Sequence, residues 1–159
     1  MRRILVTAGG VSPRFPCAAR PRTVRRMDRV DGKTLVSLMP FAEAIGVEIE
    51  SATAEEVRGG FDWALERCTT GRVVHGGALM ALADSLGAVC TYLNLPEGAV
   101  TSTIESKTNF FRGVREGRAT ATTTPLHVGR TTIVVQTDVR DEKGKRVALV
   151  TQTQAVIPK

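Results

Sequence analysis

The chain is poor in the residues that hold metals or build disulfide frameworks. Its three cysteines, Cys17, Cys68 and Cys90, lie far apart, and His75 and His127 are its only histidines. No Cys-x-x-Cys is present, and a structural zinc site needs about four convergent ligands, so no metal centre is expected. An odd number of scattered cysteines fits a reduced, cytoplasmic compartment better than an oxidising one. Long uninterrupted apolar runs are also missing. The longest mainly apolar stretch, 76–95, is broken by Asp84 and contains many small residues, so no membrane span is expected. What is present is ordinary globular material. The chain has 159 residues, 42% hydrophobic and 24% charged, which suits one domain with a core that needs no covalent staples.

The net charge of +6 hints at nucleic acid until it is located. Residues 1–33 hold nine Arg and Lys against only Asp28 and Asp31, and the remainder carries thirteen basic and fourteen acidic groups. The body is therefore almost neutral and the basic character belongs to an extension. After Ile4-Leu5-Val6 that extension has no helix or strand period, and Pro13, Pro16 and Pro21 interrupt it. Three readings compete: a disordered extension with the working start near Met27, an Arg-rich transit peptide, or a nucleic-acid-binding arm. The first is preferred. The third fares worst because Phe15 is the only aromatic residue among the arginines. The division expected is an extension over 1–33 and a folded domain over 34–159.

From Thr34 onward the pattern is legible. Pro40 opens a short helix over 41–45 and Gly46 stops it. Val47, Ile49 and Ser51 alternate with Glu48 and Glu50 as a strand with one wet face. A second extended segment, 55–65, contains Gly59-Gly60, which marks a bulge or a close approach. One long helix follows over 76–93, with Leu79, Leu82, Leu86, Val89 and Leu93 at steps of three and four, ended by Asn94 and Pro96. Its other faces carry Ala, Met, Gly, Ser and Cys rather than charges, so it is expected to be enclosed on nearly all sides. The rest reads as strands over 100–111, 118–127, 131–140 and 146–157, separated by turn signals at 115–117, 127–129 and 141–144. One buried helix plus an antiparallel meander predicts an α+β fold with the sheet wrapped around the helix.

Within 76–96, Asp84 is the sole group that carries a charge at neutral pH. A charge on an enclosed helix is costly unless it is paired or functional. The competing reading is a structural acid that caps a neighbour or ties two chains together. At the start of the helix, Gly76 and Gly77 leave the first backbone N–H groups uncovered at the positive end of the dipole. Such donors can hold a carbonyl oxygen as it becomes an oxyanion, although a glycine-rich start also lets a strand enter tightly.

The run His75-Gly76-Gly77, with Asp84 nine positions after His75, resembles the signature of the phenylacetate-pathway type of hotdog thioesterases. The similarity continues through residues 106–113 (Ser-Lys-Thr-Asn-Phe-Phe-Arg-Gly), Gly129-Arg130-Thr131 and 141–148, and covers roughly 35–157. The resemblance implies the hotdog fold and hydrolysis of an acyl-CoA thioester. It casts Asp84 as the base that activates water or as the nucleophile. Gly76, with Gly77, would be the oxyanion donor, His75 would orient the thioester, and Thr103 would be a hydroxyl that assists the water. Arg112, with neighbouring basic groups such as Arg115 and Arg118, would reach the phosphates of coenzyme A; a solvated strand end is the plain alternative for each. Two positions depart from the family pattern: Thr69 and Thr70 stand where many relatives carry Asn or Gln, and Gly113 stands where they carry proline. No cofactor is expected beyond coenzyme A as part of the substrate, and no nucleic-acid or membrane partner.

Geometry adds an expectation. Eight residues of helix separate Gly76 from Asp84, a rise of about 12 Å, so one thioester cannot touch both within hydrogen-bond reach. If both act on it, they come from two chains of a homodimer, which could itself pair into a dimer of dimers. Rival functions are a hotdog protein that binds acyl-CoA without cleaving it, a dehydratase of the same fold, and a serine hydrolase built on Ser85. The last needs a strand–turn–helix elbow, whereas Ser85 sits in mid-helix.

Overall fold

Apolar period and punctuation place the central element. In the computed structural model, which describes residues 31–158, helix α3 spans Gly76–Leu93. It starts at the glycine pair and ends at Asn94, whose Nδ2 donates to the carbonyl of Cys90 at 2.9 Å and to that of Ala54 at 2.7 Å. Leu79, Leu82, Leu86 and Val89 form its core face, buried with Phe61, Ile133, Val135 and Val139 from the sheet. Burying each such side chain contributes about 1.5–3 kcal/mol.

Two short helices precede the sheet: α1 over Gly32–Ser37 and α2 over Pro40–Ala44. α2 has proline at its start and Gly46 beyond its end at φ 69°, the left-handed conformation that glycine supplies at helix stops. α1 was not expected from the sequence, and it begins inside the stretch assigned to the extension; the rest of that stretch, 1–30, lies outside the described residues.

The strands are β1 (Glu48–Ala52), β2 (Val57–Asp62), β5 (Ala99–Phe110), β6 (Arg118–Val128), β7 (Thr132–Arg140) and β8 (Arg146–Pro158). They form one antiparallel sheet in the order β1-β2-β6-β7-β8-β5. Between β2 and α3 lie a 3-10 turn, Leu65–Arg67, and a small hairpin of β3 (Cys68–Thr69) and β4 (Val73–Val74). The strand expected over 55–65 is therefore shorter, and its glycines mark close approach: a methyl group on Gly59 or Gly60 would run into the carbonyl of Glu48 or Ala119. The bulge sits instead on the facing strand, between Ile49 and Ser51.

Two expectations need correction. The meander holds only for β6-β7-β8; β5 crosses over to pair with β8 and becomes an edge strand. Nor, among the described residues of a single chain, is the helix enclosed on nearly all sides. A single sheet layer covers one face, while Met80, Asp84 and Tyr92 stay exposed and Ala81, Ser85 and Ala88 are half-buried. α3 is long and apolar enough to cross a bilayer, but half of it is buried within the fold.

Candidate active site

Asp84 stands on the open face of α3, exposed rather than buried as the sequence suggested. It is nonetheless held. Its Oδ1 accepts a hydrogen bond from Nε2 of Gln152 at 2.6 Å and one from Oγ1 of Thr103 at 3.3 Å. Thr103 in turn lies 3.0 Å from Nε2 of Gln154. Gln152 and Gln154 alternate along β8 and are each 1% exposed. Thr103 meets them because β5 pairs with β8, with Thr103 opposite Gln154 and Ser106 opposite Gln152. A bulge between Thr103 and Glu105 shifts the alternation at that point, a common use of bulges beside functional sites. Among the described residues, Oδ2 of Asp84 has no protein partner. The carboxylate is thus fixed through one oxygen and open at the other.

Thr103 therefore lies beside Asp84. The two glutamines were not anticipated. Their signal was weak but present: Gln152 and Gln154 occupy the inward positions of a strand whose other inward residues, Val147, Val150 and Val156, are apolar.

The helix start is a second centre. His75 is the N-cap, and its Nδ1 accepts from the Gly77 N–H at 2.8 Å. The amides of Ala78 and Leu79 bond the His75 carbonyl at 2.9 and 3.3 Å. Gly77 is thus not an available oxyanion donor, because a side chain has already satisfied it. Among the described residues, the Gly76 N–H is the first-turn donor left without a protein partner. The Phe110 ring lies over Gly76, close enough that a side chain there would press on its edge. Gly76 and Asp84 belong to one unbroken helix, so the distance between them is as the sequence predicted.

The basic candidates divide. Arg112 is exposed, and among the described residues its guanidinium has no carboxylate partner. Among the described residues, Arg115 donates to the Gly71 carbonyl at 3.2 Å. The segment carrying both runs beside β4, with the Val74 amide on the Val114 carbonyl at 2.9 Å. Gly113 belongs there for space, since a Cβ would overlap Val73. Thr69, paired with Val73, is exposed on the same hairpin. Thr69, Arg112, Gly113 and Arg115 therefore gather at the hairpin that leads into His75. Arg118 does not join them. Its guanidinium contacts Glu48 at 2.8 Å, Glu50 at 3.0 Å and Asp62 at 3.3 Å. Burial alone would lower its pKa, but hydrogen bonds to these carboxylates outweigh that and raise it. Arg118 is a clamp between β1, β2 and β6, and the expectation that it reaches a phosphate is corrected accordingly.

Two hydroxyl or thiol groups on α3 have surroundings that do not suit a nucleophile. The Ser85 hydroxyl donates to the Ala81 carbonyl at 2.8 Å in mid-helix, far from an elbow. The Cys90 thiol is fully buried, which pushes its pKa up to about 12. A cavity of about 660 Å³ opens between α1 and β1, but none of the candidate residues lines it.

The pattern of the Thioesterase superfamily matches residues 71–148. ComA2 of Bacillus subtilis is similar to this chain, 32% identical over 119 residues that cover 74% of the chain and 94% of ComA2. The 1,4-dihydroxy-2-naphthoyl-CoA hydrolase of Escherichia coli is 35% identical over 85 residues, 54% of this chain and 62% of the hydrolase. The chain spans 56%, 62% and 60% of the lengths of three further curated relatives. Among solved structures, a mutant of the thioesterase PA1618 from Pseudomonas aeruginosa superposes with a TM-score of 0.78 at 27% identity, covering 84% of this chain and 98% of that one.

Proposed function

The chain belongs to the thioesterase superfamily, and from that premise we propose that it hydrolyses an acyl- or aryl-coenzyme A to the free acid and coenzyme A. The observation that carries this reading is the half-fixed carboxylate of Asp84. One oxygen is anchored by Gln152 and Thr103, and the other has no protein partner among the described residues, on a side chain that is exposed in the single chain.

In the proposed reaction Oδ2 of Asp84 takes a proton from water while the water oxygen adds to the thioester carbonyl. The carbonyl oxygen becomes an oxyanion held by the Gly76 N–H at the positive end of α3. Collapse of the tetrahedral intermediate breaks the C–S bond and releases the thiolate of coenzyme A, which takes up a proton. Direct attack by Asp84 would give an anhydride that water then opens, with the same products. Because Gly76 and Asp84 are about 12 Å apart along one helix, the Gly76 donor comes from a second copy, and a homodimer holds two equal sites. The exposed side of α3 and the edge strand β5 give such a copy a surface to cover. Arg112 and Arg115 are the residues proposed for the coenzyme A phosphates. No cofactor beyond coenzyme A in the substrate is invoked, and a reduced, cytoplasmic setting suits the free thiols Cys68 and Cys90.

The test is turnover. A panel of aryl-, short- and long-chain acyl-CoAs is incubated with the protein and a reagent that detects free thiol. Catalytic thiol release is expected with at least one class. Saturable binding across the panel without thiol release would instead make this a non-catalytic acyl-CoA carrier or sensor.

A further inference from the structure

Buried amides are out of place on a strand face packed against an apolar helix, and Gln152 is such an amide. It is 1% exposed on β8, between β7 and the edge strand β5. Its Nε2 donates to Asp84, but its Oε1 is buried with no hydrogen-bond partner among the described residues. A leucine or methionine would fill the same volume with no unpaired polar atom, so stability does not account for a glutamine here. The helix also gives way to it. Gly87 lies in the middle of α3, where alanine is the better helix former, and a methyl group at that position would overlap Oε1 of Gln152. Two departures from good packing thus meet at one side chain, and what they achieve together is a 2.6 Å bond to a carboxylate.

We infer that Gln152, seated in the notch left by Gly87, is the positioning residue that sets the rotation of the Asp84 carboxylate for catalysis. The inference rests on the thioesterase reading of Asp84. The amide's orientation is set by its partner: turned over, it would place two acceptor oxygens against each other. Bonds from Gln152 and Thr103 converge on the same oxygen, so they occupy Oδ1 and direct Oδ2 outward. Gln154 braces Thr103 from the next inward position of β8, so both donors to Asp84 are themselves supported from the sheet. Gln152 touches no reacting atom. Its contribution is alignment, and misplacing a catalytic group by about 1 Å lowers rates by about 100-fold.

The test compares Gln152→Leu and Gln152→Glu with the wild-type full-length protein on a thioester it turns over. For Gln152→Leu, kcat is expected to fall by about 30- to 100-fold at nearly unchanged KM, with Tm equal to or above wild type because the orphan oxygen is gone. In Gln152→Glu the new carboxyl can donate to Asp84 only while the two groups share a proton. Its activity relative to wild type should therefore rise as pH falls and decline as pH rises. Wild-type kcat in Gln152→Leu, or a pH-independent ratio for Gln152→Glu, would overturn the inference. The glutamate variant decides the matter by itself if the leucine variant does not fold. Absence of turnover by the wild-type chain on every thioester would overturn the thioesterase reading, and the inference with it.

Discussion

The Nδ1 of His75 accepts the Gly77 amide at 2.8 Å, and this bond closes the first turn of α3 while leaving Gly76 as its open donor. One side chain thus both caps the helix and selects which N–H faces outward. Removing the cap in His75→Ala is expected to cost about 1 kcal/mol, a fall in Tm of about 3–5 °C for a domain of this size. Asparagine is a good N-cap, so His75→Asn should recover most of the loss in the same thermal melts by circular dichroism. Equal Tm values for alanine, asparagine and histidine would show that the cap contributes nothing.

Arg112 and Arg118 were candidates for the same ligand, but Arg118 pairs with three carboxylates while Arg112 has none among the described residues. Arg112→Ala is expected to raise KM for an acyl-CoA several-fold and to leave Tm unchanged. Arg118→Ala should do the reverse, because it leaves Glu48, Glu50 and Asp62 facing one another without their shared cation. Exposed pairs are each worth about 0.2–1 kcal/mol, so a loss of about 1–2 kcal/mol for the three is expected in urea titrations. A KM effect at Arg118 would restore it to the substrate site.

Asp138 gives the fold a predictable acid response. The Arg146 hydrogen bond holds its carboxyl below the usual carboxylate range; burial opposes this, and Arg140 adds to the lowering. A depressed folded pKa stabilises the protein above the ordinary value of 3.8, and that stabilisation is lost as pH falls through the lower folded value. The Tm gap between wild type and Asp138→Asn should therefore be constant from neutral pH down to about pH 5 and narrow progressively as pH falls below the ordinary value of 3.8. A gap that has not narrowed at all by about pH 2.5 would contradict the assignment.

The two-chain site is tested by complementation. Asp84→Asn and Gly76→Pro each disable one half, proline by removing the backbone donor at a helix position that tolerates it. Phe110 lies over Gly76, but it is 49% exposed and has room to shift. Co-refolded mixtures should regain up to about a quarter of wild-type activity, since half of randomly paired dimers hold one intact site. Heterodimers confirmed by mass spectrometry that stay inactive would place the whole site within one chain.

Much of this was legible in the sequence, for identifiable reasons. The bounds of α3 follow from a three-four apolar step, a glycine pair and Asn94, all local signals. The β7–β8 hairpin was equally legible, because Asp141 accepts the amides of Lys143 and Lys145 and Gly144 takes φ 72°. Asp84 stood out as the one charge on its helix. What stayed hidden depends on long-range pairing. Gln152 reaches Asp84 from 68 residues away, and Arg118 meets Glu50 across the same separation. No local pattern reports that β5 lies beside β8, and no period reveals that a histidine rotamer has already taken the Gly77 amide.

If the carboxylate of Asp84 performs the hydrolysis, Asp84→Asn removes the group that activates water or attacks the thioester. The amide is isosteric, and its oxygen can still accept from Gln152, so the variant should fold with a Tm within about 2 °C of wild type. Thiol release from the best acyl-CoA, measured as kcat/KM, is expected to fall by about 100-fold or more. A folded Asp84→Asn protein with wild-type turnover would mean that another group performs the hydrolysis.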